Sequence, residues 1–258
     1  MNMRRFTTTI LPPLVTFVVL MAAFELLIRL LGISAYLLPP PSSILKAAVH
    51  PDHRMALLSA LGSTAAAATT GFLLSAIIGV SVAVALSASR WIERAFYPFA
   101  IFFQTVPLIA IAPLLVIWTR TPMRAVIASA FIVSIFPVIA NALSGLLSVD
   151  PALRDLFRLY RGGPIATLWK LRLPSALPQI LTGLRIAAGL AVIGAIVGEF
   201  FAGGGLGILL QTALKEQRTD LIFAAVLMAA LLGLGLFGLV NAAGYLLLRN
   251  WHASTQSN

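Results

Sequence analysis

Glu25, Arg29 and Glu199 fall inside long apolar stretches of the chain. An ionisable side chain in such a setting is costly to bury, so it is a functional candidate by default. Glu25 and Arg29 are four residues apart, the spacing of neighbours on one helical face, and they read as a local ion pair. Glu199 has no cation beside it and precedes Phe200-Phe201-Ala202-Gly203-Gly204-Gly205-Leu206-Gly207. It can cap a broken helix, pair across a helix interface or face a pathway. The histidines are His50, His53 and His252, all outside the apolar stretches. His50-Pro51-Asp52-His53 has metal-like spacing but is more simply a solvated loop. No HExxH, GxSxG or paired intramembrane aspartates occur, and cysteine is absent. No catalytic residue and no metal site is expected, and catalysis within a bilayer is disfavoured.

The elements that must position these groups follow from composition. Of 258 residues, 60% are hydrophobic and 10% charged, far from the balance of a soluble domain. A span needs roughly 20 apolar residues to cross the bilayer core. The pattern predicts an all-α, polytopic membrane protein of about six transmembrane helices, near Ile10–Leu31, Ser63–Ala88, Ala95–Trp118, Met123–Leu147, Leu184–Phe201 and Leu221–Leu248. The whole chain, 1–258, is expected to be one transmembrane domain. Its first apolar run is longer than a signal-peptide core and reads as a retained span. Trp91, Trp118, Trp169, Trp251, Tyr36 and Tyr97 sit near span ends, where amphipathic rings collect. A net charge of +10 points to cytoplasmic loops rather than to nucleic acid. With the N-terminus inside, 11 basic residues, Arg4, Arg5 and Arg249 among them, lie on the inner side and 6 on the outer. Both termini are therefore expected in the cytoplasm.

Two connections are long, the outer Gly32–Gly62 and the inner Ser148–Gly183, and long ordered loops usually have a job. The inner one places apolar residues three and four apart, from Leu153 to Tyr160 and from Ile165 to Leu173. Gly162, Gly163 and Pro164 interrupt them, so the segment reads helix, turn, helix. Asp150 before Pro151 is a plausible helix start. Pro174 and Pro178 are expected to end the second helix or bend the chain toward the next span. Span three carries Pro98, Pro107 and Pro113 with Gln104 and Thr105, which predicts a bent helix lining a cavity or an interface. Gln104, Thr105 and Pro107, with Ser134, Asn141 and Glu199, are the candidate pathway residues, although helix packing accounts equally well for Ser134 and Asn141. The small residues of span two (Ala65–Ala68, Gly71, Gly79) and of span five (Gly183, Ala187, Ala188, Gly189, Gly194, Gly198) predict close helix packing.

The inner segment also carries a resemblance. Val149-Asp150-Pro151-Ala152-Leu153-Arg154-Asp155, then Arg161-Gly162-Gly163, then Leu171 to Arg185 (LRLPSALPQILTGLR), resembles the signature loop of binding-protein-dependent ABC importer permeases. That signature is Glu-Ala-Ala, three residues, Gly, nine residues, Ile-x-Leu-Pro. Leu38-Pro39-Pro40-Pro41-Ser42, Gln104-Thr105-Val106-Pro107, Ala112-Pro113-Leu114 and Gly205-Leu206-Gly207 resemble the nitrate, sulfonate, taurine and pyrimidine-precursor branch. Asp155 stands where the family has glutamate, Leu156-Phe157 replace the alanines, and counting back from Leu173-Pro174 puts Arg161 at the glycine position.

The resemblance implies a type I importer permease with a cytoplasmic coupling segment at about 150–178. Asp155, Leu156, Phe157, Arg158, Arg161, Gly162, Gly163, Pro164, Leu173 and Pro174 would contact an ATPase. Leu156, Phe157, Ile165 and Leu168 would fill its groove, and Arg158 and Arg161 would meet the rim. No Walker A motif occurs, so an ABC ATPase dimer, using ATP and Mg, is expected as a separate partner. This chain is expected to bind no cofactor. A homodimer in the lipid of a bacterial inner membrane and an external solute-binding protein complete the expectation. The alternative is a self-contained secondary transporter or channel, which calls for ionisable coupling residues or discontinuous helices near the midplane.

Overall fold

A computed structural model describes residues 11–160 and 162–248. Arg161 and the expectations for Arg4, Arg5, Arg249, Trp251 and His252 lie outside the described residues. The described residues contain helices and no strand: α1 (Leu11–Leu30), α2 (Pro41–Val49), α3 (Pro51–Ser87), α4 (Arg90–Thr105), α5 (Leu108–Thr119), α6 (Pro122–Leu147), α7 (Pro151–Leu159), α8 (Pro164–Thr167), α9 (Leu173–Ala202), α10 (Gly205–Lys215) and α11 (Thr219–Leu248). A π-helical segment, Leu168–Arg172, joins α8 to α9. Proline opens α2, α6, α7 and α8, where its fixed φ suits the first turn and its missing N–H is no loss.

Four helices are each long and apolar enough to cross a membrane alone: α3, α6, the run Pro164–Ala202 and α11. The 20-residue α1 reaches about 30 Å at 1.5 Å per residue. Three sequence expectations change. The third span is not one bent helix. It breaks at Val106-Pro107, because proline cannot donate to the ladder and pushes the residue before it out of the helical region. Pro98 and Pro113 stay within α4 and α5. The outer connection is not an extended loop: it holds α2 and the first turns of α3, whose 37 residues extend about 55 Å. Finally, Pro174 and Pro178 do not end a separate helix. The chain runs from Pro164 to Ala202 without a stop. Leu173 N–H donates to the Leu168 carbonyl, five residues back, and this wider turn passes the helix over Pro174.

The chain divides into two compact units. One comprises residues 1–60 and 209–228. In it, Glu25 pairs with Arg29 and also receives the Ser42 backbone N–H at 3.1 Å and hydroxyl at 2.8 Å. Ser42 lies in the first turn of α2, so the Glu25 carboxylate caps that helix. Arg218 sits 2.8 Å from His53 Nε2 and donates to Asp220 at 3.3 Å.

The other unit comprises residues 61–208 and 229–258. Its core is built largely from small residues. Ala67 and Ala68 of α3, Ala130 of α6 and Ala187, Ala188, Ala191 and Ala195 of α9 are buried together, with Leu236 and Val240 of α11. Between membrane helices, lipid tails are as apolar as leucine, so close packing carries the association. A Cβ on Gly194 would meet the Ser129 carbonyl at 2.8 Å, and one on Gly183 would meet that of Pro137 at 2.8 Å. Gly71 and Gly79 of α3 are similarly pressed onto α6. Gly189, by contrast, faces open space.

Candidate functional site

The segment between α6 and α9 begins with a capped turn. The Asp150 side chain accepts from the Ala152 N–H at 2.8 Å, as its place before Pro151 predicts. No residue of α7 is buried. Leu153, Leu156, Leu159, Tyr160, Ile165 and Trp169 all present apolar surface to the outside, with Leu159 and Tyr160 each 81% exposed. Phe157 is half-buried. Leu168 packs against the core cluster of α3, α6 and α9. Asp155 and Arg158 form an exposed pair at 3.5 Å.

Gly162 makes the turn. Its N–H donates to the Phe157 carbonyl at 2.8 Å, and a Cβ there would press on that carbonyl at 2.9 Å. Gly163 has an ordinary φ of −67° and nothing within 4 Å of a Cβ position. The turn glycine is therefore Gly162, one residue after the position obtained by counting back from Leu173-Pro174.

Two arginines tie this segment to the ends of the spans. Arg154 donates to the Leu147 carbonyl at the end of α6, at 2.8 Å. Arg172 donates to the Ser87 carbonyl at the end of α3, at 3.1 Å. Each satisfies a carbonyl that its helix leaves without a partner and sets positive charge on the negative end of the helix dipole. The sequence shows both residues only as basic positions. No local pattern reveals the second bond, because its partners are 85 positions apart.

The broken third span lines a cavity of about 380 Å³. Gln104, Thr105 and Pro107 face it, with Ile132, Phe136 and Pro137 of α6 and Leu190 of α9. A second cavity of about 660 Å³ shares Gln104, Val106, Ile132 and Phe136 and is otherwise apolar, with Phe96, Phe99 and Trp118 in its wall. Of the remaining candidates, the Ser134 hydroxyl donates to the Ala130 carbonyl at 2.7 Å, and the Asn141 amide donates to the Pro137 carbonyl at 2.8 Å. Neither residue lines these two cavities.

Glu199 occupies a third position, at the junction of α9 and α10. It is 1% exposed. One carboxylate oxygen accepts from the Thr64 hydroxyl at 2.7 Å and the other from the Gly207 N–H at 2.8 Å. The Thr64 oxygen in turn accepts from the Leu206 N–H at 2.9 Å. Leu206 and Gly207 lie in the first turn of α10, whose free N–H groups favour an anion. Gly203, Gly204 and Gly205 have φ of 81°, 92° and 55°, a reversal that other residues resist. A Cβ on Gly205 would overlap the carboxylate itself. Thr64 escapes sequence reasoning because it lies 135 positions from Glu199, on another helix.

The family described as binding-protein-dependent transport system inner membrane component matches residues 75–251. The formylaminopyrimidine transport permease protein ThiX of Halalkalibacterium halodurans is 33% identical, over 87% of this chain and 89% of its own. The taurine transport system permease protein TauC of Escherichia coli is 30% identical, over 93% of this chain and 90% of its own. A chain of the MetNI methionine ABC transporter in an inward-facing conformation superposes with a TM-score of 0.66 at 18% identity, covering 79% of this chain and 100% of that one.

Proposed function

The chain belongs to the family of binding-protein-dependent transport system inner membrane components and is a multi-pass permease subunit of an ABC importer, and on that premise we propose how it couples and what it carries. A separate ABC ATPase docks on α7 and the Gly162 turn, using ATP and Mg, while this chain binds no cofactor. Two copies of the permease form the pathway, and a separate solute-binding protein delivers the substrate to the opposite face. Both termini lie on the ATPase side, in the cytoplasm of a bacterium, as the bias of basic loops suggests.

The observation that carries this reading is the construction of the segment around α7. Among the described residues, its apolar side chains Leu153, Leu156, Leu159 and Tyr160 stand outward and exposed. A few exposed anchors of this kind supply most of the energy of an interface. The same segment is fastened through Arg154 and Arg172 to the ends of α6 and α3. A displacement of α7 by the ATPase is thereby passed to two spanning helices at once. Leu156, Phe157, Ile165 and Trp169 meet the ATPase groove, and Arg158 its polar rim. Leu168, turned into the core, holds the segment from behind.

The cavity beside Gln104 and Thr105 is the pathway's candidate contact with substrate. Among the described residues that line it, it offers an amide and a hydroxyl and no charged group. Such a site suits a small polar solute that must be released as readily as it is accepted. The substrate class is that of the branch: a sulfonate, taurine, nitrate or a pyrimidine precursor. Selection rests with the binding protein.

The test is reconstitution of the chain with its ATPase and binding protein in proteoliposomes, with uptake and ATP hydrolysis followed together. Gly162→Leu drives a side chain into the Phe157 carbonyl, and Asp155→Lys sets a second cation beside Arg158. Both variants are expected to insert normally yet lose most uptake while hydrolysis persists or falls out of step. Unchanged uptake in both overturns the coupling assignment.

A further inference from the structure

A polar cavity of about 370 Å³ opens beside α7, lined by Ser87, Ser89, Glu93, Arg94, Arg154 and Arg172. Three guanidiniums and one carboxylate face it, leaving an excess of positive charge. Among the described residues, none of the three arginines has a carboxylate within ion-pair distance. Arg154 and Arg172 each spend one N–H on a helix-end carbonyl. A guanidinium has five. The Arg154 Nε is buried with no partner. Arg154 and Arg172 are also close enough to repel each other. The start of the 16-residue α4 adds the positive end of a helix dipole, since Glu93 and Arg94 stand in its first turns.

Like charges gathered around a cavity call for an anion, and the position says which kind. α3 ends at Ser87 and α6 at Leu147, so the cavity lies where two spans leave the hydrocarbon. Trp91, 76% exposed, stands next to it in the sequence, as an interfacial ring would. Forked donors of this number match the oxygens of a phosphate group. We infer that this cavity binds a phosphate anion, supplied by the headgroup of an anionic phospholipid lodged between the ends of α3, α4 and α6. A headgroup there also holds the Arg154 and Arg172 caps in place, so lipid charge bears on the link between α7 and the spans.

The experiment uses the purified full chain in neutral detergent, with retained ligand read by native mass spectrometry. The probes are phosphatidylglycerol, phosphatidylcholine and inorganic phosphate. Arg94→Gln and Glu93→Gln are the informative variants, because Arg94 is exposed and neither side chain fastens a helix. A basic residue near an anionic headgroup is worth about 1 kcal/mol, or roughly fivefold in affinity. Phosphatidylglycerol is expected to be held in preference to phosphatidylcholine. Arg94→Gln should weaken it about fivefold and Glu93→Gln strengthen it by a similar factor. Binding of inorganic phosphate alone, with the same response to both variants, keeps the phosphate site but makes a soluble anion its source. Equal retention of the two lipids without phosphate binding overturns the inference, and so does anion binding that neither variant changes.

Discussion

Replacing Thr64 by valine tests the Glu199 junction more directly than replacing Glu199 itself. Valine keeps the shape of threonine and deletes one hydroxyl. That hydroxyl donates to the Glu199 carboxylate at 2.7 Å and accepts from the Leu206 N–H at 2.9 Å. Thr64 and Glu199 are 0% and 1% exposed, so both bonds are shielded from bulk solvent. Losing a hydrogen bond to a charged group costs about 1.5–3 kcal/mol, and stranding a buried N–H about 1–3 kcal/mol. The two share one site and do not add fully, which puts Thr64→Val near ~3 kcal/mol of destabilisation. Thr64→Ser keeps the hydroxyl and removes a methyl, at about 0.8 kcal/mol. The hydroxyl's contribution is the Thr64→Val loss itself, and the two variants should differ by about 2 kcal/mol. The assay is the unfolding midpoint of the purified chain in mixed detergent micelles, read by circular dichroism across a denaturing-detergent titration. If valine and serine unfold together, the Thr64 hydroxyl does not bridge Glu199 to α10 and the junction is held by packing alone.

Two further outcomes separate glycine positions and a buried hydroxyl. Gly205→Ala should destabilise by about 2 kcal/mol or more, from the overlap with Glu199 and the positive φ, whereas Gly163→Ala should leave stability within about 0.5 kcal/mol; the same titration measures both. Ser129, 1% exposed, has a hydroxyl with no hydrogen-bond partner, so Ser129→Ala should be neutral or stabilising by up to about 1 kcal/mol, and a loss of stability would reveal a partner for it.

The two in-span glutamates illustrate what folding adds to a motif. By sequence, Glu25 is half of an ion pair and Glu199 an unpaired acid with three possible roles. In the fold both do a related thing: each places its carboxylate on the first-turn N–H groups of a later helix, α2 for Glu25 and α10 for Glu199. The glycines around Glu199 are explained by the same junction, because Gly205 leaves room for the carboxylate and Gly207 for the Glu199 Cβ and the α9 backbone. The secondary-transporter alternative called for ionisable coupling residues or discontinuous helices near the midplane. Both glutamates are engaged by neighbouring donors, and although the third span is broken at Pro107, family membership places the chain among importer permeases.

Features that depend on near neighbours were legible in the chain. The apolar runs mark α3, α6, α9 and α11, since a span is a local property of about 20 residues. Asp150-Pro151 marks the start of α7, and the small residues of spans two and five mark close packing, with Gly189 the exception. The signature around Leu173-Pro174 marks the family, because it is a contiguous string. Helix continuity was less legible. Pro107 breaks the third span, whereas Pro174 is carried through by a π turn, and the two prolines differ in what the backbone around them can rearrange.

By itself, then, the sequence determined that this is a polytopic importer permease with a capped helix starting at Asp150-Pro151, because hydropathy, caps and a family string are written along the chain. Only the tertiary structure decided which glycine makes the turn, which arginines fasten that segment to α3 and α6, and that Thr64 completes the Glu199 junction. Those are contacts between residues up to 142 positions apart, set by side-chain reach and helix packing that no local pattern encodes.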